Sequence, residues 1–242
     1  MNNTLNDKVK YVGIDDKDLV LFENQYKLRE GMAYNSYLIL DEKTALLDTT
    51  DAKKAEEWKP QLLEALEGRT LDYLVVQHRE PDHSSLVKWV IDSFPKVKLV
   101  ASAKALNMLP QFFEDFCLPQ EQSIAVKDGD SLDLGEHKLE FCTAPMVHWP
   151  EVIMTYDSFD GTLYSADAFG KFGALSLCGY DDSEEKDWLP EARRYYFNIV
   201  GKYGAPVQGV LKKLAGKEIH RICSLHGPIL TKELGRYLNL YS

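Results

Sequence analysis

Four apolar residues, Tyr73-Leu74-Val75-Val76, run directly into the polar stretch Gln77-His78-Arg79-Glu80-Pro81-Asp82-His83, after which a helix-period pattern continues to residue 94. A short, unbroken apolar run marks a strand covered on both faces, and a strand followed by a loop and a helix is one βα unit. A strand buried on both sides needs a layer above it and a layer below. That requirement restricts the chain to layered α/β architectures.

The flanking segments fit such layers. Runs rich in Val, Ile, Leu and Tyr predict opening strands at 19–22, 34–40 and 44–47. Between 51 and 67, Ala55, Trp58, Leu62, Leu63 and Leu66 recur at helical spacing and Gly68 supplies a stop, while Pro60 predicts a break. A strand follows at 97–101, and Ser102 is placed to cap a short helix that runs to Leu109 and ends at Pro110. Beyond Pro119 strands are predicted at 123–126, 131–134, 137–143, 152–156 and 162–164, with Asp-Gly turns at Asp128-Gly129 and Asp160-Gly161. Helices at 188–200 and 207–214, a strand at 219–224 and a helix from Thr231 complete the pattern. Strands on both sides of a βα centre predict two sheets sandwiched between helices, with the polar loops gathered along one edge. No repeat and no long Gly/Ser/Pro linker divides residues 1–242, so a single domain is expected.

With 45% apolar and 27% charged residues, the chain has the composition of a folded protein. Its net charge is −10 and its basic residues are scattered, which argues against a nucleic-acid partner because phosphate binding needs clustered Lys and Arg. No apolar segment follows a basic start, and nowhere do about 18 apolar residues run together, so neither export nor a membrane span is predicted and a cytoplasmic protein is expected. Cys117, Cys142, Cys178 and Cys223 form no Cys-x-x-Cys pair and read as single thiols in a reducing compartment.

The hexapeptide after the central strand carries the chemistry. In an extended segment residues two apart share a side, so His78, Glu80 and Asp82 converge, and His83 at the turn into the helix can swing back to the same point. A solvated turn with a capping Asp would explain this loop alone. Three later loops, each after a predicted strand and flanked by Pro or Gly, weigh against that: Pro145-Met146-Val147-His148-Trp149-Pro150, Ser165-Ala166-Asp167-Ala168-Phe169-Gly170 and Ser224-Leu225-His226-Gly227-Pro228. Neighbouring strand ends meet at one edge of a layered sheet, which would gather four imidazoles and three carboxylates. Seven donors exceed one tetrahedral zinc and suit two metals sharing a carboxylate and a solvent-derived oxygen, an oxo or hydroxo bridge.

These motifs resemble the metallo-β-lactamase superfamily, and His-x-Glu-x-Asp-His, with Glu80 where the usual motif has His, resembles its flavodiiron branch. The resemblance extends through His148-Trp149-Pro150, the segment around Asp167, the run from Arg193 and the segment around His226. It implies an αββα sandwich of two mixed sheets between helices. It also implies two iron ions, one held by His78, Glu80 and His148, the other by Asp82, His83 and His226, with Asp167 between them. Charge favours iron independently: Glu80 adds a negative, hard oxygen donor, which stabilises a trivalent ion more than a divalent one.

In flavodiiron proteins a flavodoxin-like domain carrying FMN follows, whereas this chain ends at Ser242 and has no phosphate-cradling loop of that kind, so no FMN is expected. The resemblance then points to stand-alone oxygen-binding diiron proteins associated with chemotaxis signalling, which hold dioxygen at a diferrous site as a ferric-peroxo adduct and report it to a signalling protein. An oxygen or nitric-oxide reductase fed by a separate flavodoxin or rubredoxin is the second reading, and a dizinc hydrolase the third. Flavodiiron relatives pair head to tail, which places one subunit's flavin by the other's iron; without flavin that reason lapses, and a homodimer is kept only as an expectation. Tyr195 is expected near the metals, donating a hydrogen bond to bound oxygen; Trp149 and Phe169 are expected to exclude water. His137 and His220 read as ordinary strand histidines, and the acidic run 181–185 as a solvated loop.

Overall fold

The structure is a computed structural model that describes residues 5–113, 116, 118–175 and 188–242. The acidic run 181–185, Cys117 and Cys178 lie outside them. In chain order the strands are β1 (Val9–Tyr11), β2 (Ile14–Asp16), β3 (Leu21–Phe22), β4 (Tyr26–Lys27), β5 (Met32–Tyr34), β6 (Tyr37–Leu40), β7 (Thr44–Leu47), β8 (Tyr73–Val75), β9 (Lys98–Ser102) and β10 (Ser123–Val126), then β11 (Ser131–Asp133), β12 (Lys138–Thr143), β13 (Ile153–Asp157), β14 (Thr162–Tyr164) and β15 (Arg221–Cys223). The helices are α1 (Ala55–Ala65), α2 (Pro81–Ser84), α3 (Val87–Ser93), α4 (Ala103–Met108), α5 (Trp188–Tyr195), α6 (Gly204–Leu214) and α7 (Leu234–Tyr241).

One sheet has the order β1-β6-β7-β8-β9-β10, antiparallel from β1 to β7 and parallel from β7 to β10. The other runs β11-β12-β13-β14-β15, with only the last pair parallel. Both are mixed, as expected. The two-residue period of a strand sorts their side chains into layers. Leu38, Leu46 and Leu74 turn outward on to Trp58 and Leu62 of α1 and Val87 and Val90 of α3. Their chain neighbours Tyr37, Ile39, Leu47 and Val75 turn inward, against Leu139, Phe141, Ile153 and Tyr164 of the second sheet. The outer face of that sheet, with Met154, Leu163 and Ile222, packs on Trp188, Val207, Val210 and Tyr237 from α5, α6 and α7. The result is the αββα sandwich.

Ser102 caps α4 as the sequence predicts, its hydroxyl accepting the Ala105 N–H. Pro60 does not break α1. Both Pro60 and Glu56, whose carbonyl the missing N–H would have met, are exposed, so water satisfies the freed oxygen. The helix predicted over 188–200 ends as α5 at Tyr195 and continues as a wider π-helical turn over Tyr196–Val200. Cys142 and Cys223 carry free thiols. Among the described residues no helix is long and apolar enough to cross a membrane.

Candidate metal centre

The loop leaving β8 is shaped by three local rules. Buried Asp48, just after β7, receives the backbone N–H of Gln77 on Oδ1 at 2.8 Å and the Gln77 amide on Oδ2 at 2.9 Å, which ends the strand and turns the chain. Glu80 precedes a proline and is therefore extended (φ −58°, ψ 141°), and Pro81 opens α2, where its missing N–H costs nothing. Glu80 thus projects from extended chain while Asp82 and His83 sit on the first turn. Ser84 closes the loop, its hydroxyl donating to the carbonyls of Arg79 and Glu80 at 2.8 Å.

The second sheet delivers the remaining donors: His148 between β12 and β13, Asp167 after β14, His226 after β15. Gly170 lets two of these loops approach. A Cβ there would stand 3.0 Å from the Asp167 carbonyl and 3.3 Å from Cβ of His226. Asn35 ties the His226 loop to the first sheet, its amide donating to the carbonyls of Ser224 and Gly227 at 2.8 Å each.

All seven side chains singled out from the sequence are buried and meet in two groups, His78, Glu80, His148 and Asp167 in one and Asp82, His83 and His226 in the other; within each group the ligand-type atoms lie within 4.8 Å of one another. In the first, Nε2 of His78 is 3.2 Å from Nε2 of His148, and Oε2 of Glu80 is 3.2 and 3.1 Å from those two nitrogens. In the second, Nε2 of His83 and Nε2 of His226 are 3.0 Å apart, each 3.4 Å from Oδ2 of Asp82. Asp167 faces both: Oδ2 is 3.0 Å from His148 and 3.7 Å from His78, Oδ1 is 3.4 Å from His83 and 4.0 Å from His226.

Burial disfavours charge on every member, and the neighbours decide which give way. Burial and then the positive charge of His83 push His226 down to about 3. Burial pushes Asp82 up to about 7. Against its own burial, His148 is carried up to about 9 by hydrogen bonds to Asp167 and Glu80. Burial alone would lower His78, but the Asp167 carboxylate and the hydrogen bond to Glu151 hold it well above its usual range. Burial likewise opposes the Asp167 carboxylate, yet His78 and His148 keep it well below the ordinary range.

This donor set fits metal ions. Two pairs of imidazole nitrogens aim at each other across about a hydrogen-bond length, and both oxygens of Asp82 and Oδ1 of Asp167 are buried without a hydrogen-bond partner. Such unpaired carboxylate oxygens are costly unless a cation lies among them. Three carboxylates with four imidazoles form a mixed oxygen and nitrogen set that suits iron.

Supporting groups surround the donors. Nδ1 of His78 donates to Oε1 of Glu151 at 3.0 Å, and Nδ1 of His226 to the Ala33 carbonyl at 2.7 Å, so each ring presents Nε2 to the cluster. Glu151 and Ala33 were not singled out from the sequence: one looks like any loop acid, and the other contributes only backbone. Tyr195 comes to the site as expected but donates to Oδ2 of Asp167 at 2.8 Å. Trp149 stands edge-on to His78 with ring centroids 5.4 Å apart, as a wall. The Phe169 ring instead lies on Tyr241 at 4.2 Å, and Phe22 covers His226 at 5.5 Å. Buried His137 pairs with Asp157, and exposed His220 with Glu218, both outside the two groups. A cavity of about 320 Å³ opens beside Glu80 and Asp82, lined also by Phe22, Glu23 and Tyr34.

Comparison with known proteins places this geometry among relatives. The model of the family described as "ODP family beta lactamase" matches residues 32–227. The chain is similar to diflavin flavoprotein A 1 of Synechocystis sp., 34% identical over 230 residues, which covers 93% of this chain and 39% of that protein. It is 30% identical over 237 residues to the anaerobic nitric oxide reductase flavorubredoxin of Pectobacterium atrosepticum, covering 96% of this chain and 46% of that one. Among solved structures, rubredoxin oxygen:oxidoreductase from Desulfovibrio gigas superposes with a TM-score of 0.90 at 28% identity, over 98% of this chain and 60% of that one. The chain therefore spans less than half the length of these two curated relatives.

Proposed function

The chain belongs to the ODP family of β-lactamase-like proteins, and on that premise we propose that it is a non-haem diiron protein that binds dioxygen and reports it to a signalling partner, such as a chemotaxis component. The observation that carries this reading is Asp167, whose two oxygens turn to different donor groups, as a carboxylate shared by two ions must. In this reading His78, Glu80 and His148 would hold one ion, Asp82, His83 and His226 would hold the other, and Asp167, which faces both groups, would be shared by them. Iron supplies one electron per ion when bound, two for the pair, whereas reduction of dioxygen to water takes four. Oxygen binding needs no electrons beyond those of the pair, whereas full reduction draws on an outside donor.

The protein's own residues serve binding. Glu151 and the Ala33 carbonyl fix the tautomers of His78 and His226 so that Nε2 is the free donor atom. Trp149 and Phe22 keep water from the imidazoles. The cavity beside Glu80 and Asp82 is the route by which a small ligand enters.

The second reading is an oxygen or nitric-oxide reductase fed by a separate flavodoxin or rubredoxin. It is favoured by the names of two relatives, a nitric oxide reductase flavorubredoxin and a rubredoxin oxygen:oxidoreductase, both longer than this chain. Anaerobic iron loading, metal analysis and an absorption spectrum after exposure to air decide between them. Two irons per chain and a coloured adduct that persists support oxygen binding. Rapid, repeated oxidation of added reductant with water or nitrous oxide as product selects the reductase. Full zinc occupancy with lactam or thioester cleavage selects a hydrolase and removes both.

A further inference from the structure

The cavity beside Glu80 and Asp82 has one uncommitted phenol. Tyr34 is 2% exposed and lines this cavity, yet among the described residues its hydroxyl makes no hydrogen bond. The nearby phenol of Tyr195 is already committed to Asp167. The hydroxyl is not sealed off: it keeps accessible surface in a residue that lines the cavity, so a molecule there can accept its proton in a hydrogen bond.

Tyr34 is held rigidly relative to the second donor group. It ends β5, paired with Ile14 of β2, and its ring centroid is 6.5 Å from His83 and 6.0 Å from His226. On one side Ala33 accepts from Nδ1 of His226; on the other Asn35 is stitched to the His226 loop by its backbone N–H, which donates to the Leu225 carbonyl at 2.8 Å, and by its two amide hydrogen bonds. One three-residue segment thus fixes both the imidazole of His226 and the phenol of Tyr34.

Resting on the diiron reading above, we propose that Tyr34 is a ligand-binding residue, donating a hydrogen bond to a small anionic or dioxygen-derived ligand bound through the cavity on the Asp82–His83–His226 side. A phenol carries its proton at neutral pH and is therefore a donor there. A neutral donor meets a ligand's negative end without adding charge to the site.

Azide is the probe. Wild-type protein and Tyr34→Phe are loaded with iron and oxidised, their iron is counted, and azide is titrated by absorption; the azide stretch is then recorded by infrared spectroscopy in H2O and D2O. The expected result is two irons in both proteins, about tenfold or more weaker azide binding in the variant, and a solvent-isotope shift of the azide band present in wild type and lost in the variant. Affinity within about twofold together with an unchanged isotope shift overturns the proposal. So does a variant that no longer holds two irons, because a donor to the added ligand does not govern metal retention. A wild-type protein without an iron pair is a different failure, one that removes the diiron reading on which this rests.

Discussion

Oε1 of Glu151 lies 3.0 Å from Nδ1 of His78 and 2.8 Å from the backbone nitrogen of Arg79, so one buried carboxylate oxygen holds both the ring and the main chain of the donor loop. A carboxylate behind a ligating imidazole raises its basicity and fixes its orientation. Glu151→Gln is expected to weaken iron binding by about 10- to 100-fold, read by competition with a chelator of known affinity. An unchanged affinity would show that the loop holds His78 without this charge.

Tyr195 donates to Oδ2 of Asp167 at 2.8 Å, with both groups fully buried. Removing the donor leaves a buried carboxylate oxygen short of a partner, a loss of about 2 kcal/mol. Urea denaturation of metal-free Tyr195→Phe should show a decrease of that size. The same variant, iron-loaded and exposed to air, should lose its oxygen adduct faster as Asp167 reorients.

Away from the site, Nδ1 of buried His137 donates to Oδ2 of buried Asp157 at 2.5 Å. Burial by itself lowers the imidazole, but the hydrogen bond and charge of Asp157 more than reverse this, so His137 stands above its ordinary value. A group raised on folding stabilises fully below its unfolded pKa, about 6.5, and loses that contribution as pH rises through the folded value. The stability gap between wild type and Asp157→Asn should therefore be widest below about pH 6.5, reaching about 3 kcal/mol as for other broken buried pairs, and should narrow in alkali. Denaturation midpoints across that range check it; a gap that does not vary with pH would place the interaction elsewhere.

The hairpin beside the cavity turns on two residues with left-handed backbones, Glu23 (φ 47°) and Asn24 (φ 58°). Asparagine tolerates that region, whereas a glutamate costs about 1 kcal/mol or more there. Glu23→Gly is expected to raise the unfolding free energy by about 0.5–1 kcal/mol, measured by thermal denaturation. A decrease would mean that the Glu23 side chain contributes more contact energy than its backbone costs.

The layered fold was legible because the two-residue period of the strands separates Leu38 from Tyr37 and Leu74 from Val75, so layering is encoded in neighbours along the chain. Convergence of the seven donors was legible for a similar reason: each lies in a strand-end loop or on the helical turn that directly follows one, and strand ends share an edge. Pro60 misled because the sequence does not say which helical face meets water. Glu151 was invisible because its partner is 73 positions away, and nothing near it separates a buried acid from an exposed one. The hydrogen bond of Tyr195 to Asp167 needed α5 to be docked on the loop after β14, which is a tertiary fact.

Each donor group draws from both halves of the sandwich: His78 and Glu80 meet His148 and Asp167, and Asp82 and His83 meet His226. Neither sheet by itself supplies a complete donor group. A cation seated in either group is consequently a clasp across the seam between the sheets, its grip existing only once they have docked. Scarcity of that cation would then be felt first as a loosening of one half of the molecule from the other.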